Sequence, residues 1–251
     1  MSITRRGFLY QKNGKIRVDH EKTNSILLNN LHIDLLLKHN QYMKGILLDA
    51  GCGEKPYSLI YEKITEKSIG VDVEYGIHDQ KAVDVFASLD QLPFPDCMFD
   101  TVLCTNVLEH IAENGKAFSE LSRVLKDNGY MILSVPFLYP AHEIPHDYYR
   151  YSFYGLKYQM EKNGLTIKKM IPLGGVGMMI LVYCNLFLCK FIKMKMLNFI
   201  ACILQEGVYK IYRGVCLDHL ISKEDKGMMK IISTGYFIVA QKCRNKIQDQ
   251  G

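Results

Sequence analysis

The sequence predicts a mainly parallel, doubly wound α/β sheet of seven strands, with a helical insertion before the last strand. Three observations predict it. Short apolar runs alternate with segments of helical periodicity, the pattern of strands joined by crossover helices. The runs are apolar at consecutive positions, as in strands covered on both faces. Glycines gather at the end of the first run, and sheets of this kind bind ligands at the carboxyl ends of their strands.

The elements follow in chain order. Residues 1–20 are polar and read as a loosely ordered arm. From 23 to about 42, Ile26, Leu27, Leu31, Leu35 and Leu36 recur at helical spacing. Residues 45–50 form an apolar run too short for a helix and give the first strand. Pro56 then suits the opening turn of the next helix. Residues 68–73, 82–86 and 99–105 are the second, third and fourth strands. In 117–125, Phe118, Leu121, Val124 and Leu125 share one helical face. Residues 130–135 are the fifth strand, stopped by Pro136. A helix over 153–162, a sixth strand over 165–171 and a last strand over 235–241 complete the set. The organisation is therefore an arm and helix (1–44), a core (45–173), an apolar helical insertion (174–233), and the last strand with a tail (234–251).

A chain of 251 residues suits one such domain, and 48% hydrophobic with 23% charged residues is a globular balance. A net charge of +5 without a basic stripe argues against nucleic acid as the partner. The eight cysteines are scattered, with no C-x-x-C pair, which points to free thiols in a reducing compartment rather than a metal cluster. Residues 1–17 lack the apolar core of a secretory signal, so the expected location is the cytoplasm.

The chemistry is concentrated where the first strand ends, at Asp49-Ala50-Gly51-Cys52-Gly53-Glu54. Glycines there let the backbone turn sharply and approach a ligand, and a following helix N-terminus favours polar or negative ligand groups. Gly70-Val71-Asp72 ends the second strand, where an acid can accept hydrogen bonds from two ribose hydroxyls. Together these point to a cofactor containing adenosine. Pro56 breaks the G-x-G-x-x-G spacing of a dinucleotide site, which disfavours a nucleotide-dependent oxidoreductase. The intact glycine and aspartate set disfavours a non-catalytic, membrane-associated scaffold.

The run Leu47-Leu48-Asp49-Ala50-Gly51-Cys52-Gly53 resembles the first motif of class I S-adenosylmethionine-dependent methyltransferases. Gly70-Val71-Asp72 resembles their second motif, and Leu92-Pro93-Phe94-Pro95-Asp96 with Phe99-Asp100 their entry into the fourth strand. Asn106-Val107-Leu108-Glu109-His110 resembles the segment leaving that strand, and 123–130 the turn into the fifth. The likeness is nearest to the type-11 methyltransferase group. The segments 134–140 and 146–151 are similar to a bacterial branch associated with surface polysaccharide biosynthesis. The resemblance implies a Rossmann-like fold and S-adenosylmethionine as cofactor, with S-adenosylhomocysteine as product. It implies that Asp49, Ala50, Gly51, Cys52, Gly53, Asp72, Val73, Ser88, Leu89, Asn106 and Val107 line the cofactor. Two positions depart from the family. Ser88-Leu89, with Asp84 and Asp90 nearby, stands where an acid usually holds the adenine, and Lys55 stands where many members have a third glycine.

Methylating a hydroxyl requires removing its proton, which a histidine near neutral pKa suits. The loop after the fifth strand carries His142 and His146, either of which is a candidate general base. His142, His146 and Asp147 match no familiar metal-ligand spacing, so no metal is expected. Glu109 and His110 are read as shaping the pocket. The expected partner is a small-molecule or glycan acceptor, and the expected acceptor group a hydroxyl of a glycan or lipid-linked sugar. Residues 176–189 are uncharged and Lys190, Lys193 and Lys195 follow, a pattern that fits peripheral contact through 174–205 with the inner face of a membrane. The run is shorter than the roughly 18 apolar residues of a span.

Overall fold

The computed structural model describes residues 3–19, 22–23, 26–75, 79–191, 204, 207–210 and 232–243. It opens on three short strands, β1 (Thr4–Arg6), β2 (Leu9–Lys12) and β3 (Lys15–Val18), paired as an antiparallel meander. This corrects the expectation of a loose arm. The β2–β3 turn is Asn13-Gly14, both residues at positive φ, which is the conformation of a tight hairpin turn. Only Leu9 and Val18 of these strands are fully buried, so the segment looks polar in sequence.

Helix α1 (Ile26–Lys38) follows, ending short of the expected Tyr42, with a separate 3-10 turn over Asn40–Tyr42. The main sheet then begins. Its strands are β4 (Ile46–Ala50), β5 (Lys67–Asp72), β6 (Val85–Phe86), β7 (Phe99–Thr105), β8 (Leu125–Pro136), β9 (Leu165–Pro172) and β10 (Gly235–Lys242). They lie side by side in the order β6-β5-β4-β7-β8-β10-β9. All pairs from β6 to β8 are parallel, while β10 runs antiparallel to both its neighbours. The third predicted strand shrinks to Val85–Phe86 because 80–82 forms a 3-10 turn capped by the Asp79 carboxylate. The fifth grows back to Leu125, around Asn128 at positive φ.

Alternating side chains divide between two apolar layers. Leu48, Val102, Cys104, Met131, Leu133 and Ile238 face a core shared with α3 (Asn114–Val124) and α4 (Phe153–Lys162). Leu47, Leu103, Ile132, Phe237 and Val239 face the opposite core, with α1, β2, β3, α2 (Ser58–Tyr61) and α5 (Val176–Phe191). This explains why the strands read as continuous apolar runs. The helix expected after Pro56 is the single turn α2. Of the insertion, residues 174–175, α5 and residues 204, 207–210 and 232–233 are described; 192–203, 205–206 and 211–231 lie outside the described residues.

Parallel register has one functional consequence. The carboxyl ends of β4, β5, β7 and β8 all open on the same edge of the sheet. The segments 51–56, 73–75, 106–111 and 137–152 are therefore neighbours along that edge.

Candidate active site

The loop leaving β4 is tied to β5. The amides of Gly51 and Cys52 both donate to the Val71 carbonyl, at 2.8 and 3.0 Å. Gly53 N–H donates to one Asp72 carboxylate oxygen and Val73 N–H to the other, each at 2.7 Å. Asp72 thus joins the two strand ends predicted to share a ligand. Gly51 sits at φ +72°, and a Cβ there would overlap the side chain of Val107 from the segment after β7. Three of the predicted segments converge at this residue. Asn106, also at positive φ, is exposed beside them, with its amide bonded to the Ser134 carbonyl at 2.8 Å.

Asp49 and Ala50 point inward instead. The Asp49 carboxylate is buried and accepts from the Tyr61 hydroxyl at 2.8 Å. Burial raises its carboxyl to about 7, with Tyr61 and Lys55 pulling it back. Asp49 therefore anchors the loop to α2. Cys52 is buried too, and burial and the surrounding carboxylates push its thiol well above its ordinary value. Lys55, where the family has glycine, adopts φ +50° and pairs its ammonium with Asp84. Asp84 also accepts from Gly70 N–H at 2.6 Å, so it is spent on this brace rather than on a ligand. Ser88 is half-buried, while Leu89 packs into the core and would offer only backbone. The β1–β3 meander braces the far side of the loop through Phe8 against Tyr57, ring centres 6.0 Å apart. No sequence signal pointed to Tyr61 or to this brace.

The second half of the site is built by Leu108–His110, one 3-10 turn after β7, and the loop after β8. Backbone amides of Tyr148 and Tyr149 donate to the Glu109 carbonyl at 2.8 and 3.2 Å, locking the two segments together. Asp147 is gripped by Arg150 at 2.5 and 2.6 Å and accepts from His142 N–H at 2.8 Å. The Arg150 guanidinium holds the Asp147 carboxyl down at about 2. This clamp turns His142 toward the fully buried Glu109, whose Oε1 lies 3.8 Å from His142 Nε2. Burial works to lower the His142 pKa, but the Glu109 and Asp147 carboxylates outweigh it and raise the value. The His146 ring is exposed and meets only the Tyr148 hydroxyl among the described contacts, at 3.1 Å, while its carbonyl holds His110 Nδ1 at 2.6 Å. The two candidate bases are thus separated: one enters a charged cluster and the other supports it.

The family model described as "Methyltransferase domain" matches residues 48–133, the stretch from β4 into β8. An uncharacterized protein of Methanocaldococcus jannaschii is 38% identical over 111 residues, covering 41% of this chain and 46% of that protein. The uncharacterized methyltransferase YcgJ of Bacillus subtilis is 31% identical over 98 residues, covering 35% of this chain and 39% of that protein. The matches thus span less than half the length of these relatives. The crystal structure of a SAM-dependent methyltransferase from Archaeoglobus fulgidus superposes over 89% of this chain and 96% of its own, with a TM-score of 0.52 at 17% identity. That likeness carries the fold. The Gly51 cradle, which a Cβ would fill, and an Asp72 carboxylate at the adjoining strand end fit the adenosine and methionine parts of S-adenosylmethionine. Residues 48–133 thus match a methyltransferase domain, and the fold that carries them is shared with a solved S-adenosylmethionine-dependent methyltransferase.

Proposed function

We propose that this protein methylates a hydroxyl group of a glycan or lipid-linked sugar, using S-adenosylmethionine. When bound, that cofactor supplies a methyl group already activated on a sulfonium. Much of the remaining work is positioning. Gly51 and Gly53 let the loop approach the cofactor, and Asp72 holds its ribose. Asn106 offers a polar edge beside the sulfonium. The observation that carries the hydroxyl reading is His142, set beside Glu109 and Asp147 on the same sheet edge as the glycine loop. A hydroxyl needs a proton acceptor where a ready-made anion does not. Of the two candidate histidines, His142 is the better placed, because Glu109 stabilises the imidazolium formed when it takes the proton. The glycan class is supported by the resemblance of 134–151 and by the apolar outer face of α5. Among the described residues no helix is long and apolar enough to cross a membrane.

The test offers a labelled methyl donor together with a polyprenyl-linked oligosaccharide, the free oligosaccharide and a fatty-acyl carboxylate. Label recovered as a sugar methyl ether supports the reading. Label recovered only as a methyl ester refutes it. His142→Ala should lower kcat by about a hundredfold or more, with His146→Ala much milder. Full turnover in both variants would remove histidine general-base catalysis.

A further inference from the structure

The charged cluster behind His142 has a feature that base catalysis does not require. Among the described residues, both Glu109 carboxylate oxygens are completely buried and lack a hydrogen-bond partner, as does His110 Nε2. The Glu109 Oε1 contacts, 3.7 Å to His110 Nε2 and 3.8 Å to His142 Nε2, are too long to be hydrogen bonds. A buried carboxylate left in that state is strongly unfavourable unless something charged joins it. One donor atom from each of Glu109, His110 and His142 lies within 4.8 Å of the other two. Ligand atoms around a tetrahedral cation at about 2.1 Å sit about 3.4 Å apart. A cluster of this size needs only small side-chain adjustments to close on an ion.

The surroundings orient both imidazoles as ligands. His110 Nδ1 faces the His146 carbonyl at 2.6 Å, so Nδ1 carries the proton and Nε2 is left with its lone pair. His142 Nδ1 faces the Pro140 carbonyl at 3.3 Å, with the Asp147 carboxylate and the Arg150 guanidinium each 3.5 Å away; the carbonyl and carboxylate favour the proton on Nδ1, which again leaves the Nε2 lone pair for a ligand. Carbonyl and carboxylate partners on the remote nitrogen are the usual outer support of metal-bound histidine. Arg150 in turn fixes Asp147. The Glu143 carboxylate stands 3.8 Å from His110 Nε2 on the more exposed side, as a further ligand or as a neighbour of a bound water.

We propose that Glu109, His110 and His142 bind one divalent first-row transition cation, with a coordination position left open toward the acceptor. Two imidazoles and one carboxylate suit zinc or a metal of similar preference. The role in catalysis rests on the methyl-transfer reading; the binding itself does not. A hydroxyl at the open position becomes more acidic and releases its proton to water. His142 then acts as a ligand, and its service as a base belongs to the metal-free state.

Titration of the metal-stripped full chain with Co²⁺, followed by visible absorption, tests the site, with Zn²⁺ as competitor and S-adenosylhomocysteine calorimetry run in parallel. The expected result is one Co²⁺ per chain with strong tetrahedral bands, displaced by Zn²⁺. The bands vanish in Glu109→Gln and His142→Ala and persist in His146→Ala, whose backbone carbonyl remains. Asp147→Asn weakens binding by about tenfold to a hundredfold. Glu109→Gln also separates loss of a ligand from loss of fold: it relieves the buried charge, so the metal-free variant should melt no lower than the metal-free wild type. Equal binding by wild type and Glu109→Gln would overturn the site, and so would no saturable binding by a chain that binds S-adenosylhomocysteine. Metal binding without S-adenosylhomocysteine binding would keep the site and remove the methyltransferase reading instead.

Discussion

At Gly51 two constraints meet, a positive φ and the side chain of Val107 where a Cβ would stand. An alanine there costs about 1–2 kcal/mol for backbone conformation, before any collision. Gly51→Ala should weaken S-adenosylhomocysteine binding by about tenfold or more. Gly51→Ala combined with Val107→Ala should recover part of it, because the collision is relieved and the backbone cost stays. A single variant that binds as tightly as wild type would show that the loop does not meet the cofactor here. His32, buried in α1, gives a separate prediction for stability. Burial, only partly offset by the Leu28 backbone, lowers its pKa from 6.5 to about 4, so the folded state keeps it neutral where the unfolded chain protonates it. Stability is complete above pH 6.5 and falls as pH drops toward 4, by about 3 kcal/mol in all. His32→Leu should flatten that part of the urea-unfolding pH profile, and an unchanged slope would contradict the assignment. The meeting of Gly51, Gly53 and Asp72 at adjoining strand ends was legible in the sequence because their spacing places them at the ends of two consecutive strands. The meeting of Glu109 with His142 was not, because it depends on β7 and β8 lying side by side and on Arg150 folding the later loop back.

Helix α5 presents two faces. Met178 and Val182 are buried against the core, while Ile180, Tyr183 and Phe187 are exposed at 54%, 43% and 61%. Exposed apolar residues on one face of a helix suit an interfacial position on a membrane. The protein should co-sediment with vesicles containing anionic lipid, and Ile180→Ser with Phe187→Ser should reduce that several-fold. Equal recovery of wild type and variant would leave the face to another partner. Element types were readable where short apolar runs were bounded by turn residues, as in β4, β7 and β10. The β1–β3 meander was obscured by its outward charges, although Asn13-Gly14 is a hairpin signal in its own right. Strand β6 was overestimated because the pattern continues through a 3-10 turn that Asp79 caps.

For the whole molecule, the two apolar layers and the strand order bring every predicted cofactor segment to one edge of the sheet. The doubly wound sheet follows from consecutive apolar residues in the strands, and its antiparallel β10 is a matter of connection that composition does not encode. The central claim is that this edge holds S-adenosylmethionine. Calorimetric titration of the full chain with S-adenosylhomocysteine, with NAD and Asp72→Ala as controls, tests it most directly. Micromolar binding that is lost in Asp72→Ala and absent for NAD is the predicted result. A folded chain that binds NAD, or neither ligand, would contradict it and return the site to an oxidoreductase or a scaffold.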